Sequence, residues 1–196
     1  MIKAMDNEYH FLTRWRVKAS AEEVYDILSQ ADEYPRWWPS VYLSVRELTP
    51  RRVRVVTRGW LPYTLRWEAI TTEAQPPNRW VIRATGDFDG RGIWSIVQDG
   101  KYADITFDWK VTAAKPLLRY LSFALKPVFE ANHRWAMEQG RQALELELAR
   151  SRAATVEQMN AIPNPPSRQA FLSLETAAQA AMAIGLITGF RTTRRA

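Results

Sequence analysis

The chain has 196 residues, enough for one domain and an appendage, since about 150 residues can bury a core without disulfides or metals. It contains no cysteine and only two histidines, His10 and His133, which excludes disulfides, cysteine nucleophiles, thiolate metal sites and an all-histidine zinc site, and we expect no cofactor. The net charge of +6 is spread thinly, as on an ordinary solvated surface, so we expect no nucleic-acid partner.

The first predicted elements are a strand and a short helix. Residues 9–17 alternate between apolar and polar side chains, which is typical of a strand with one buried face. The sequence Ser20-Ala-Glu-Glu23 is a capping box and predicts a helix over about residues 21–30. No apolar run that could be a signal peptide precedes the strand, so we expect a cytoplasmic protein.

The next segment, DEYPRWWPSV (32–41), combines two prolines with two adjacent tryptophans. Pro35 and Pro39 restrict the residues before them and predict only a second, broken helical turn. Trp37 and Trp38 are large, and each indole N–H needs an acceptor when it is buried. The local sequence does not determine where these two rings lie in the fold.

Residues 41–111 predict a meander of about six strands. Apolar and polar residues alternate in four runs, at 53–58, 63–69, 79–84 and 103–111. Turn-forming sequences lie at 49–50, 75–78 and 98–101. Three glycines, Gly86, Gly90 and Gly92, fall in or beside a further strand around Trp94, as at a bend or bulge. The resulting sheet has one apolar and one charged face.

After Pro116 the apolar period changes from two to about 3.6 residues, which indicates a helix. Pro127 suits a first helical turn, so we predict a long helix from there to about Arg152. Gly140 lies in its middle, where glycine costs about 1 kcal/mol relative to alanine, and this predicts a closely packed neighbour. The apolar stripe consists of Phe129, His133, Ala136, Met137, Gly140, Leu144 and Leu148.

The last part of the chain is predicted to be a linker, residues 153–169, and a helical tail, residues 170–196. The stretch 171–190 is about 20 residues long, enough to span a bilayer, although it includes Glu175 and Gln179. Small residues recur every four positions from Ala177 to Gly189, which permits close helix contacts. Packing on the body or on a second copy, membrane association through the terminal arginines, and disorder all stay open.

The order of strand, short helix, broken helix, six strands and long helix resembles the helix-grip fold of the START-like (SRPBCC) superfamily. This superfamily includes polyketide cyclases, lipid-transfer domains and pathogenesis-related pollen allergens. The resemblance covers about residues 5–150, through the segment 19–41, the strand at Gly92-Ile-Trp94 and the C-terminal helix. It implies an α+β domain over residues 1–152, in which a curved antiparallel sheet of about seven strands wraps around the long helix and leaves a cavity. The broken helix would then be a wall of the cavity, unless Trp37 and Trp38 plug a small core.

The resemblance and the apolar face together predict the residues that contact a ligand. The same rings could instead fill the space as an ordinary core. The predicted ligand-binding residues are Phe11, Trp15, Trp37, Trp38, Thr57, Tyr63, Leu65, Trp67, Trp80, Trp94, Phe107, Trp109, Phe129, Asn132 and His133.

We predict reversible binding or transport of a hydrophobic small molecule, such as a lipid, an isoprenoid or a polyketide-like compound. The alternative is a cyclase or dehydratase in which His133 or Tyr63 acts as the catalytic group, although a packing histidine is the more common role. A third possibility is an interaction module with a filled cavity. The sequence predicts no metal site, and self-association or membrane contact through residues 170–196 stays open.

Overall fold

A computed structural model describes residues 8–113 and 116–167 of the chain, with side chains for residues 8–112 and 126–167. Seven antiparallel strands form one sheet in the order β1-β7-β6-β5-β4-β3-β2, so only the β1–β7 pairing joins strands distant in sequence. The strands are β1 (Glu8–Val17), β2 (Tyr42–Thr49), β3 (Arg52–Thr57), β4 (Leu65–Gln75), β5 (Arg79–Gly86), β6 (Phe88–Asp99) and β7 (Tyr102–Ala113). This arrangement confirms the predicted meander and the α+β, helix-grip fold class.

The described residues also form four helices and one 3-10 turn. Ser20 caps α1 as the sequence predicts, because its hydroxyl accepts from the Glu23 N–H (3.1 Å) while the Glu23 carboxylate accepts from the Ser20 N–H (2.8 Å). The broken segment that follows is a 3-10 turn and one turn of α-helix, as expected from its prolines. The elements are α1 (Ala21–Ser29), the 3-10 turn (Ala31–Glu33), α2 (Tyr34–Trp37), α3 (Pro116–Ser151) and α4 (Val156–Ala161).

Three predicted boundaries differ from the structure. The long helix α3 begins at Pro116, not Pro127; Pro116 is equally suited to a first turn, and Pro127 lies inside the helix. Tyr63 lies in the β3–β4 loop before Leu65, so the alternation that includes it extends past the paired residues of β4. The predicted linker contains a short helix, α4, capped by the Thr155 side chain.

The predicted tail, residues 170–196, lies outside the described residues. Among the described helices, none is long and apolar enough to cross a membrane. The domain boundaries therefore stay predictions.

The core lies between the inner face of the sheet and α3. Met137, Gly140, Leu144 and Leu148 of the predicted stripe are buried, and the rest of the stripe, towards the start of α3, is partly buried. Burial of apolar surface stabilises the fold by about 25 cal/mol for each Å² removed from water, so these side chains hold α3 on the sheet. The stripe thus sets which side of α3 faces the cavity.

Gly140 is the point at which α2 meets α3. A Cβ atom at this position would lie 2.2 Å from Cζ2 of Trp38, well inside van der Waals contact. The Trp38 ring is therefore seated directly on the backbone of α3, which confirms the close neighbour that the mid-helix glycine predicts. A single indole fixes the separation of the two helices here.

Replacing Gly140 by Ala should therefore destabilise the protein by about 1–3 kcal/mol, although alanine is the better helix former. The matched control is Ala149→Gly at an exposed position of the same helix, which measures the propensity difference alone. Chemical denaturation gives both free energies of unfolding. A Gly140→Ala protein more stable than the wild type would show that the ring does not require glycine.

Candidate functional site: a cavity between the sheet and the long helix

A cavity of about 300 Å³ lies between the inner face of the sheet and α3. Its wall is mostly aliphatic and aromatic, with a small number of polar groups, which is the usual composition of a small-molecule site. Of the residues predicted to contact a ligand, those that line it are Phe11, Trp38, Thr57, Tyr63, Leu65, Trp67, Trp94, Phe107, Trp109, Phe129, Asn132 and His133.

Three of the predicted tryptophans, Trp15, Trp37 and Trp80, do not line this cavity but are buried behind its wall. The Trp80 ring stacks on Trp94 at 5.5 Å between centroids, and the Trp15 ring packs against Trp94 at 5.6 Å. Sequence alternation cannot separate such residues from the lining, because a strand face continues past the end of a cavity. The adjacent tryptophans thus divide their roles: Trp38 is wall and Trp37 is core.

The aromatic part of the wall is a continuous stack across neighbouring strands. Phe107 lies between Trp94 and Trp109, with centroid distances of 4.2 Å and 5.4 Å, and Trp109 continues to Trp67 at 5.8 Å. The indole N–H of Trp67 donates to Thr57 Oγ1 at 3.2 Å. These contacts hold the rings in place, so they form a firm surface and cannot swing inward to fill the space.

The indole N–H of Trp67 has a hydrogen-bond acceptor, whereas that of Trp38 does not have one among the described residues. The indole Nε1 atoms of Trp37 and Trp38 are buried without a hydrogen-bond partner among the described residues. An unpaired buried N–H group costs about 1–3 kcal/mol. Both Nε1 atoms are buried from solvent and from the cavity, so Trp38 contributes ring surface to the wall, and its N–H does not face a bound molecule.

His133 is on the wall contributed by α3. Its Nε2 atom is 3.3 Å from the Thr13 hydroxyl, and its ring stacks on Phe11 at 4.2 Å. Burial, with a smaller contribution from the positive charge of Arg134, lowers the pKa of His133 to about 4. The imidazole is therefore uncharged at neutral pH, and it is a weak base.

Asn132 and Tyr63 connect α3 to the β3–β4 loop, and the Tyr63 ring lies edge-on to Phe129 at 6.3 Å between centroids. Asn132 Oδ1 accepts a hydrogen bond from the Leu61 N–H at 3.2 Å, and a Cβ at Gly59 would collide with the same amide at 2.1 Å. Glycine at position 59 thus allows the loop to reach the helix. Burial raises the pKa of Tyr63 to about 12, so its hydroxyl stays protonated and is a poor acid.

The exposed residues among the described lining cluster at one end of the cavity, where the end of α1 and the 3-10 turn meet the β2–β3 hairpin, and we call this end the mouth. They are Ser29 at the end of α1, Asp32 in the 3-10 turn, and Glu47, Thr49, Pro50 and Arg51 in the hairpin. Sequence analysis missed this mouth, because exposed polar residues in turns carry no periodic signal. It also left out the aliphatic lining of β3 and β4, such as Val53, Val55 and Ala69, although the strand alternation places them on the inner face.

An ion pair between a half-exposed arginine of α2 and a buried glutamate of α3 joins the two helices. The Arg36 guanidinium donates to both carboxylate oxygens of Glu147 on α3, at 2.6 Å and 3.1 Å, and to Glu33 at 2.5 Å. The pairing with Glu147 raises the pKa of Arg36. The Arg36 side chain is half exposed, and its charge is directed to α3. Sequence analysis missed Glu147, which lies within the apolar stripe.

Within the described part of the chain, no three His, Asp or Glu side chains converge to hold a metal ion. The polar groups that face the cavity are uncharged except at the mouth. The site can therefore bind an apolar body and offer it hydrogen bonds, with limited capacity for proton transfer.

Comparison with known proteins places this geometry in a family. Similar solved structures include a START superfamily protein from Mycobacterium smegmatis, with 19% identity, a TM-score of 0.59 and coverage of 71% of this chain and 96% of that one. The Zhui aromatase/cyclase from Streptomyces sp. R1128 has 15% identity and a TM-score of 0.60, with coverage of 75% and 97%. A protein from Thermus thermophilus has 16% identity and a TM-score of 0.61, with coverage of 74% and 100%.

At these identities the structural similarities establish the fold. No curated protein matches the sequence. The model of one protein family, described as polyketide cyclase / dehydrase and lipid transport, matches residues 10–149. The match spans the sheet and nearly all of α3, and so includes most of the cavity wall. The chain belongs to the polyketide cyclase / dehydrase and lipid transport family.

Proposed function

We propose that this protein binds a hydrophobic small molecule, such as a lipid, an isoprenoid or a polyketide-like compound, and carries it in the cavity between the sheet and α3. The observation that supports this is a cavity of about 300 Å³ with a largely apolar wall and a mouth on one side. Well-packed cores leave few voids larger than a water molecule, so a space of this size is better explained by a ligand than by imperfect packing.

The expected driving force is removal of the ligand's apolar surface from water, at about 25 cal/mol for each Å². The stacked rings of Trp94, Phe107 and Trp109 supply a preformed surface, which lowers the cost of ordering side chains on binding.

A second candidate is a cyclase or dehydratase reaction on a similar ligand. The observation that favours it is the pairing of His133 with Thr13 on the cavity wall, where an uncharged imidazole could accept a proton. A base with a pKa of about 4 is poorly matched to neutral pH, because efficient proton transfer needs a pKa near the operating pH. Tyr63, with a pKa of about 12, is mismatched in the other direction. Binding is therefore the stronger proposal.

Filling the cavity should abolish binding. Ala136→Trp places a large ring on the α3 wall, and we expect binding of N-phenyl-1-naphthylamine, an uncharged apolar fluorophore, to fall at least tenfold or to disappear, since little space would remain. The control is Ala149→Trp at an exposed position of the same helix, which should bind as the wild type does. Thermal unfolding confirms that both variants are folded. Equal binding by the wild type and a folded Ala136→Trp protein would contradict the proposal.

Mass spectrometry of an organic extract of the purified protein provides the natural ligand for a second test. Replacing His133 by Ala should change the affinity for that compound by no more than a few-fold if the protein is a carrier. A cyclase that depends on this base should lose about 10²-fold or more in rate, measured as conversion of the same compound. Conversion by the wild type and loss of that size in the variant would favour the enzyme.

The buried imidazole should also make stability depend on pH. The folded pKa of about 4 lies below the ordinary value of 6.5, so the unfolded chain takes up a proton first as the pH falls. The free energy of unfolding of the wild type should therefore drop by about 2–3 kcal/mol between pH 7 and pH 4.5, relative to His133→Phe. Urea denaturation across this range measures the difference, which should persist in a His10→Asn background. Parallel curves for the wild type and His133→Phe would show that His133 is not buried uncharged.

A further inference from the structure

The charges on the cavity wall are confined to one place. Of the described residues that line the cavity, only Asp32, Glu47 and Arg51 carry a charge at neutral pH. The deep part of the wall has neutral polar groups, those of Thr57, Asn132 and the uncharged His133 among them. A molecule that enters the cavity therefore meets formal charge at the mouth alone.

These three side chains come from two segments that the fold brings together. Asp32 is in the 3-10 turn, which packs against β2, while Glu47 is on β2 and Arg51 is in the turn between β2 and β3. All three are exposed, so they can reach a group in the opening without the cost of burying a charge. The mouth is thus a charged rim around an apolar interior.

The three charged side chains of the rim are also available to pair with a ligand. None of the three forms an ion pair with another described residue, whereas arginines on the outer face of the sheet are neutralised locally. Arg52 and Arg54, for example, both pair with Glu68. Two carboxylates against one guanidinium give the rim a formal charge of −1, although the chain as a whole carries +6. The negative charge of the rim favours a cationic ligand, whereas the positive charge of the whole chain favours an anionic one. Binding measurements can therefore separate the two effects.

We infer that the ligand is an amphiphile that binds with its apolar chain in the cavity and a positively charged head group at the mouth, facing Asp32 and Glu47. Arg51 would face an anionic group in the same head if the head is zwitterionic. This inference rests on the proposed binding function and adds the chemical class and the orientation of the ligand. A single exposed charge pair changes affinity by up to about fivefold, so two carboxylates give a preference of about 3- to 10-fold.

The test uses three ligands with the same ten-carbon chain: decyltrimethylammonium, 1-decanol and decanoate, each below its micelle concentration. Displacement of N-phenyl-1-naphthylamine from the full-length protein gives their affinities. We expect decyltrimethylammonium to bind about 3- to 10-fold more tightly than decanoate in the wild type, against the overall positive charge. The double variant Asp32→Asn/Glu47→Gln should abolish or reverse this preference while its affinity for 1-decanol stays unchanged.

The control is Glu22→Gln/Asp26→Asn, which removes two exposed carboxylates of α1 that do not line the cavity. It changes the net charge by the same amount and should keep the preference. Equal binding of all three ligands by the wild type, or a preference that survives in Asp32→Asn/Glu47→Gln, would overturn the head-group inference and leave the proposed function standing. Failure of every ligand to bind, 1-decanol included, would overturn both.

Discussion

The contact between Trp38 and Gly140 is the constraint on which the cavity depends. Two prolines keep α2 to a single turn, so it cannot pack along α3 as a long helix would. One indole on the bare backbone of α3 replaces that interface, and the ion pair of Arg36 with Glu147 supports it. The carbonyl of Trp38 then accepts from the N–H of Tyr42 at 3.1 Å, which turns the chain into β2. The contact of the Trp38 ring with α3 thus positions β2, the edge strand that borders the mouth.

The cavity stays open because the aromatic rings beside it are held by their neighbours. The large rings of β6 and β7 are stacked on one another. A Cβ at Gly92 would lie only 2.8 Å from both Phe107 and Trp109, so these two rings occupy the space that the missing side chain of Gly92 leaves above the sheet. Other lining positions hold small or rigid side chains, such as Val53 and Val55 of β3 and Ala136 of α3. Filling the space would require these stacked rings to rearrange.

Much of this fold is predictable from local patterns, and the failures have identifiable causes. Alternation locates most strands because one face of the central part of the sheet is buried. Gly140 signals a close neighbour because glycine in a helix needs compensation. Pro127 misleads because a proline suited to a first helical turn can also lie inside a helix, and Pro116 carries the same first-turn signal. The tryptophans behind the wall, the mouth and Glu147 depend on how elements meet in space, which no single segment encodes.

The aromatic stack also makes the protein its own optical sensor. Trp80, Trp94, Phe107, Trp109 and Trp67 follow one another at centroid distances between 4.2 and 5.8 Å, and three of these five rings are indoles that face the cavity. Rings this close couple electronically and exchange excitation energy. A molecule that enters or leaves the cavity therefore perturbs several chromophores together. Occupancy should be readable in the intrinsic fluorescence and near-ultraviolet dichroism of the unlabelled chain.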